Sequence, residues 1–272
     1  MRRRWVPLLL VALQACVVRY GTSTEDRAPA PIAEAGVDGG TPDALAPDAM
    51  PEAAAADVST VPDGPATFCS TVTASACFDF DAVNSAGTGW AKVQQANGTV
   101  ALDDQTWTSK SGSAKAELER NTSLATGAFA LLLRRMDTKS KSSIDMDLRI
   151  EAPETSTATL MWLSFSSGLG VALEAQCADD SCALTLVTVG TEGSTKATLG
   201  ALPAKVFHAC RVDIQESTRG NIEVVVTAAG ASVATTLKYN GNDPDWFVQL
   251  GVQASAGESR GQKVHLDNVV FR

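Results

Sequence analysis

The chain has 272 residues, a formal net charge of −9 at pH 7, and 44% hydrophobic against 19% charged residues. No basic excess is present to neutralise a phosphate backbone, which argues against a nucleic-acid partner. No apolar run reaches the roughly 20 residues needed to cross a bilayer as a helix.

The first sixteen residues read as an address. Arg2, Arg3 and Arg4 precede a short apolar run over 5–13, interrupted by Pro7. A basic start followed by a brief apolar core is the layout of a secretory signal. The segment Leu13-Gln14-Ala15-Cys16 resembles a bacterial lipobox, at which a cysteine thiol is acylated before the signal is cleaved. The resemblance implies a signal peptide over 1–15 and a lipid on Cys16. Gln14 stands where a small residue is usual, and plain secretion with Cys16 as a simple thiol is the alternative. Each buried methylene contributes ~0.8 kcal/mol and stable anchoring takes two or more chains, so a multiply acylated Cys16 would suffice as an anchor. The expected location is a membrane of the bacterial cell envelope.

Residues 16–67 change character. Proline and alanine crowd this stretch, and acidic residues from Glu25 to Asp63 face only Arg19 and Arg27. Without periodic apolar residues it has little surface to bury against the entropy of ordering. A disordered tether is expected, spanning roughly 40 Å as a flexible coil and more where proline and like charges extend it.

The folded part is expected over 68–272, a size that one β-sandwich fills as a single domain. Its apolar period is two: Ile144, Met146, Leu148 and Ile150 alternate with Asp145, Asp147 and Arg149. That alternation predicts a strand with one buried and one wet face. Similar runs fall at 159–165, 171–175, 183–189, 207–214, 222–228, 247–252 and 264–271, with less certain strands at 77–81, 91–95, 99–102 and 114–119. The stretch 124–135 is ambiguous, and no helix is convincing. Short strands separated by turn residues predict an all-β fold, two antiparallel sheets packed as a sandwich.

The opening Cys77-Phe78-Asp79-Phe80-Asp81 with Gly89-Trp90, and the closing Leu266-Asp267-Asn268-Val269-Val270, resemble the two ends of a concanavalin A-like jelly roll. That superfamily includes laminin-G-like domains, glucanases and carbohydrate-binding modules. The stretch from Leu202 to Phe207 leading into Cys210 to Ile214 resembles a recurrent unit of the same fold. The likeness covers most of 76–272, and its motifs speak for fold more than for function.

Five cysteines remain beyond Cys16. Cys177 and Cys182 bracket a hairpin loop and are expected to pair, as are Cys69 and Cys77 at the domain's entrance. Cys210 shares the inward face with Val212 and Ile214, so a buried thiol acting as a small hydrophobe is expected. Neither His208 nor His265 has zinc-ligand spacing with these cysteines. Retaining glucanases set two carboxylates ≈ 5 Å apart on one face. The nearest pair here, Asp145 and Asp147, runs into Arg149 as a solvated outer face would.

Two candidate sites remain. The resemblance implies a structural calcium where the domain's ends meet, with Asp79, Asp81 and Asp267 as ligands beside backbone carbonyls; solvated surface acids are the alternative. For a sugar-binding surface the marker is an exposed ring that stacks on a sugar's apolar face. Trp107, Tyr239 and Trp246 fall in or beside loop-like stretches, and Trp162 falls opposite the core face of its strand; Trp90 reads as core. The expected function is a membrane-anchored, non-catalytic surface binding module with polysaccharide as ligand. The alternatives are a structural or protein-interaction lipoprotein of the envelope and a degenerate glycoside hydrolase.

Overall fold

The computed structural model describes residues 68–81, 83–109, 112–124, 127–136, 141–151, 155–166, 169–190, 193–217, 220–238, 246–255 and 257–272. Cys16, the tether and Tyr239 lie outside them. After a 3-10 turn (Phe68–Thr71), the strands are β1 (Ala76–Phe78), β2 (Lys92–Ala96), β3 (Gly98–Asp103), β4 (Ser113–Leu118), β5 (Arg120–Leu124), β6 (Ala128–Arg135), β7 (Lys141–Glu151), β8 (Ser156–Ser166) and β9 (Leu169–Ala178). They continue as β10 (Ser181–Gly190), β11 (Gly193–Pro203), β12 (Phe207–Glu216), β13 (Asn221–Ala228), β14 (Ala231–Lys238), β15 (Phe247–Ala254), β16 (Gly257–Arg260) and β17 (Lys263–Phe271).

One sheet runs β14-β13-β12-β7-β17-β4-β3, with β1 also pairing β17; a seven-stranded sheet runs β11-β10-β9-β8-β15-β6-β2; β16 pairs β5 apart from both. All pairings are antiparallel, as the period of two predicts for a jelly-roll sandwich. The start and the end of the described domain meet in one ladder, Cys77 opposite Val270 and Phe78 opposite Val269.

The core lies between the sheets. Ile144, Met146, Leu148 and Ile150 from β7 join Val212 and Ile214 from β12 and face Leu163, Phe165, Val248 and Leu250 of the other sheet. Phe78 stacks on Trp90 at 4.7 Å, and Phe271 meets Trp90 edge-on. Disulfides join Cys69 to Cys77 and Cys177 to Cys182, while Cys210 is free and buried. Burial pushes the Cys210 thiol up to about 12, which keeps it protonated and inert.

The ambiguous stretch resolves into β5 and β6. Strand β6 sits between β15 and β2, and Leu131, Leu132 and Leu133 are all buried. A strand buried on both faces reads as a continuous apolar run and loses the alternation that marks half-wet strands. Strands β11 and β14 lacked an apolar signature because they are edge strands with mostly exposed side chains.

Candidate functional site

The two outward faces differ in chemistry. On the β7 side, charges pair among themselves. Arg211 donates to Asp145 at 3.0 Å and to Asp213 at 2.7 Å, and Arg272 also pairs with Asp145. Arg149 pairs with Glu151 at 2.6 Å, and Lys263 with Glu117 at 2.9 Å. The Arg211 guanidinium holds the Asp213 carboxyl below the usual carboxylate range. Asp145 and Asp147 belong to this network: the Asn268 amide donates to Asp147 at 2.8 Å.

Asp267 is fully buried on that side. Its carboxylate accepts the backbone N–H groups of Thr108 at 2.8 Å, Ser109 at 3.0 Å and Asn268 at 2.8 Å. Burial raises its pKa, those three donors lower it, and the nearby Asp147 charge raises it. Asp267 thereby pins the loop that carries Trp107, whose ring is 38% exposed. Asp79 accepts the Cys69 N–H at 3.0 Å and so secures the entrance turn. Two of the three expected calcium ligands, Asp79 and Asp267, are thus engaged separately, while Asp81 Oδ2 is buried without a hydrogen bond; no group of three or more His, Cys, Asp or Glu placed to hold a metal occurs among the described residues.

The outward face of the seven-stranded sheet is different. Along β8, Ala158, Leu160, Met161, Leu163 and Phe165 enter the core. A register shift between Thr159 and Met161 lets two successive residues point inward and sends Trp162 outward. Trp162 pairs across the ladders with Gln249 of β15 and Ala172 of β9. Its ring is held low by a glycine: a Cβ on Gly170 would lie 2.5 Å from Trp162 Cζ2 and 2.9 Å from Cε2. The half-buried indole therefore lies down across the sheet over Gly170.

Continuing that row in both directions gives Lys92, Leu133, Gln249, Trp162, Ala172, Val187 and Lys196, one residue from each strand. The adjacent row carries Arg135, Phe247, Ser164, Gly170 and Val189. A lysine closes each end of the first row, and an indole and an amide occupy its middle. Glu174 on the same face pairs with Lys196 at 3.0 Å.

The structure separates the sequence-predicted rings. Trp162 lies on this face, and Trp107 projects from a loop on the other side of the sandwich. Tyr239 is outside the described residues. Trp246 must be corrected: it is 1% exposed and packs edge-on against Phe165 at 5.1 Å, so it offers no ring face to a ligand. Its position beside a polar turn suggested exposure, but the strand it leads into turns it inward with Val248 and Leu250. Gly170 and Gln249 were missed. Gln249 is a polar residue inside an apolar strand, a signal that its face departs from the core.

No protein-family model matches the chain, and no curated protein matches it in sequence. Solved structures do. An endo-β-1,4-glucuronan lyase from the fungus Trichoderma reesei superposes with a TM-score of 0.54 at 13% identity, covering 73% of this chain and 95% of that one. Cellulose induced protein Cip1 gives 0.48 at 16% identity, covering 72% and 96%. An alginate lyase from Pseudomonas aeruginosa gives 0.44 at 14% identity, covering 59% and 82%. The chain thus shares the two-sheet jelly-roll fold of the glucuronan lyase.

Proposed function

We propose that this protein is a non-catalytic glycan-binding module, held at an envelope membrane by a lipid on Cys16 and reading polysaccharide with the outward face of its seven-stranded sheet. The observation that carries the reading is the indole of Trp162 laid over Gly170 beside Gln249. A flat, half-buried indole matches the apolar face of a pyranose. Lys92, at one end of the row, adds a positive charge that suits an acidic chain. The ligand class of the lyase with the 0.54 TM-score, glucuronan, points the same way. A binding rather than catalytic role is supported by Glu174, the carboxylate described on this face, being engaged by Lys196.

The test is calorimetric titration of the protein with glucuronan oligosaccharides. Stacking energy concentrates in few residues, so Trp162→Ala should weaken binding about tenfold or more, a loss of ~1.4 kcal/mol per decade. The melting temperature should barely move, because the ring is outside the core. Failure of the wild type to bind at millimolar oligosaccharide would hand the case to a structural or protein-interaction role for the sandwich.

A further inference from the structure

The Trp162 row is uneven from end to end. On one side of the indole it passes Ala172 and Val187 to Lys196, whose ammonium is already matched by Glu174 at 3.0 Å. On the other side it passes Gln249 and Leu133 to Lys92. Lys92 is exposed and meets no carboxylate among the described residues. The row therefore presents a free positive charge on the β2 side of its ring and a neutralised one on the β11 side.

The residues between ring and ammonium form a low floor. Gln249 points outward between the core residues Val248 and Leu250, and Leu133 points outward beside the core residue Leu132. Both are buried although they face outward, so neighbouring side chains stand higher than they do. Neighbouring strands lie about 4.8 Å apart, and β8 and β2 are three steps apart, so Trp162 and Lys92 stand about 14 Å from each other at the backbone. One strand step is close to the length of one sugar in an extended β-1,4-linked chain. A chain stacked on Trp162 and crossing the strands sets its next two sugars over Gln249 and Leu133 and the one after them beside Lys92. A chain that followed β8 instead would pass Thr159, whose partner across the ladder is Glu174, and would leave Lys92 to one side. For a polyuronate the crossing direction is the favourable one, since it carries the carboxylates toward an unmatched cation.

We propose that Lys92 is the specificity residue of the glycan face, selecting acidic chains by meeting the carboxylate of the sugar three places from the one stacked on Trp162. The ring supplies affinity for a pyranose of suitable shape, charged or not. The ammonium supplies the discrimination: it is a compact charge on a flexible stem and follows a carboxylate that comes within its reach. A disaccharide on the ring falls short of it, and a tetrasaccharide spans the distance. This inference rests on the glycan-binding reading above, and it can fail while that reading stands.

The experiment titrates the full chain and its Lys92→Gln, Lys92→Glu and Trp162→Ala variants by calorimetry. The ligands are glucuronan disaccharide, glucuronan tetrasaccharide and cellotetraose, which shares the linkage and has no carboxylate. For the glucuronan tetrasaccharide, Lys92→Gln should weaken binding about two- to fivefold, the range of an exposed ion pair, and Lys92→Glu should weaken it further. Neither should alter binding of the disaccharide or of cellotetraose, and neither should move the melting temperature, because Lys92 is exposed. Trp162→Ala should weaken all three ligands. If both Lys92 variants bind the acidic tetrasaccharide as wild type while Trp162→Ala loses affinity, Lys92 has no part in specificity and the ring platform stands. An equal loss for disaccharide and tetrasaccharide would show a general charge effect and overturn the register between ring and ammonium. No binding of any of the three ligands by the wild type overturns both readings.

Discussion

His265 shows how one residue ties stability to pH. It stands on β17 between two carboxylates, its Nδ1 3.1 Å from Asp103 Oδ2 and its Nε2 3.5 Å from Glu151 Oε1. Neither ring nitrogen makes a hydrogen bond, and Phe207 covers the ring edge-on. Burial pushes its pKa below the ordinary histidine value; Glu151 and Asp103 pull it up, and Arg149 and Lys115 add to the lowering. The direction fixes the sign of the linkage. The unfolded chain takes up a proton as pH falls through about 6.5, while the folded chain resists it. Stability from this group is therefore complete above about pH 6.5 and declines as pH falls toward the folded-state value. Melting temperatures should drop between pH 7.5 and pH 5.5, and His265→Gln should flatten that drop. An equal slope in wild type and variant would show that His265 does not carry it.

At the scale of elements, β15 carries most of the sheet's geometry. It joins β6 to β8, and its pairing with β8 shifts register between Leu250 and Gln253. Gly251 sits in that irregularity with a φ of +139°, and a Cβ there would lie 2.2 Å from the Ala130 carbonyl oxygen on β6. A non-glycine residue meets both a disfavoured backbone region, about 1–3 kcal/mol, and a backbone clash of similar size. Gly251→Ala should cost about 2–4 kcal/mol in a urea melt, and a neutral result would mean that β15 relaxes without loss. This strand also marks how far the sequence could be read. Its alternation exposed the sandwich, as it did in β7, β8, β12 and β17. The same alternation identified Trp162 as outward, because Leu163 and Phe165 identify the inward set. What stayed hidden depends on contacts between strands distant in sequence. Gly170 under the Trp162 ring, the burial of Trp246 against Phe165, and the engagement of Asp267 by the Thr108 and Ser109 backbone all arise from pairing, which no local pattern records. In β6 even the strand was obscured, since burial on both faces erased the period.

The whole molecule divides its charge unevenly. A net charge of −9 would repel an acidic polysaccharide at long range, but charge effects beyond about 8 Å are screened at physiological ionic strength. What an approaching chain meets at contact is the local face. On the β7 side, acids and bases are consumed in ion pairs such as Arg211 with Asp145 and Asp213. On the β15 side, Lys196 pairs with Glu174 at one end of the indole row, and Lys92 stands at the other. The tether proposed over 16–67 would let that face meet a polymer in many orientations. A coil of that length would allow a search radius of roughly 40 Å about an anchor at Cys16, and would raise the local concentration of the face near it. The anchor is then the one covalent feature on which this arrangement depends. Multiple acyl chains on Cys16 would each contribute ~0.8 kcal/mol per buried methylene, and no protein contact would be needed. Cys16→Ser should move the protein from the membrane pellet to the soluble fraction without changing the melting temperature of the sandwich or its affinity for oligosaccharide. A variant that stays in the pellet would show that Cys16 is not the anchor.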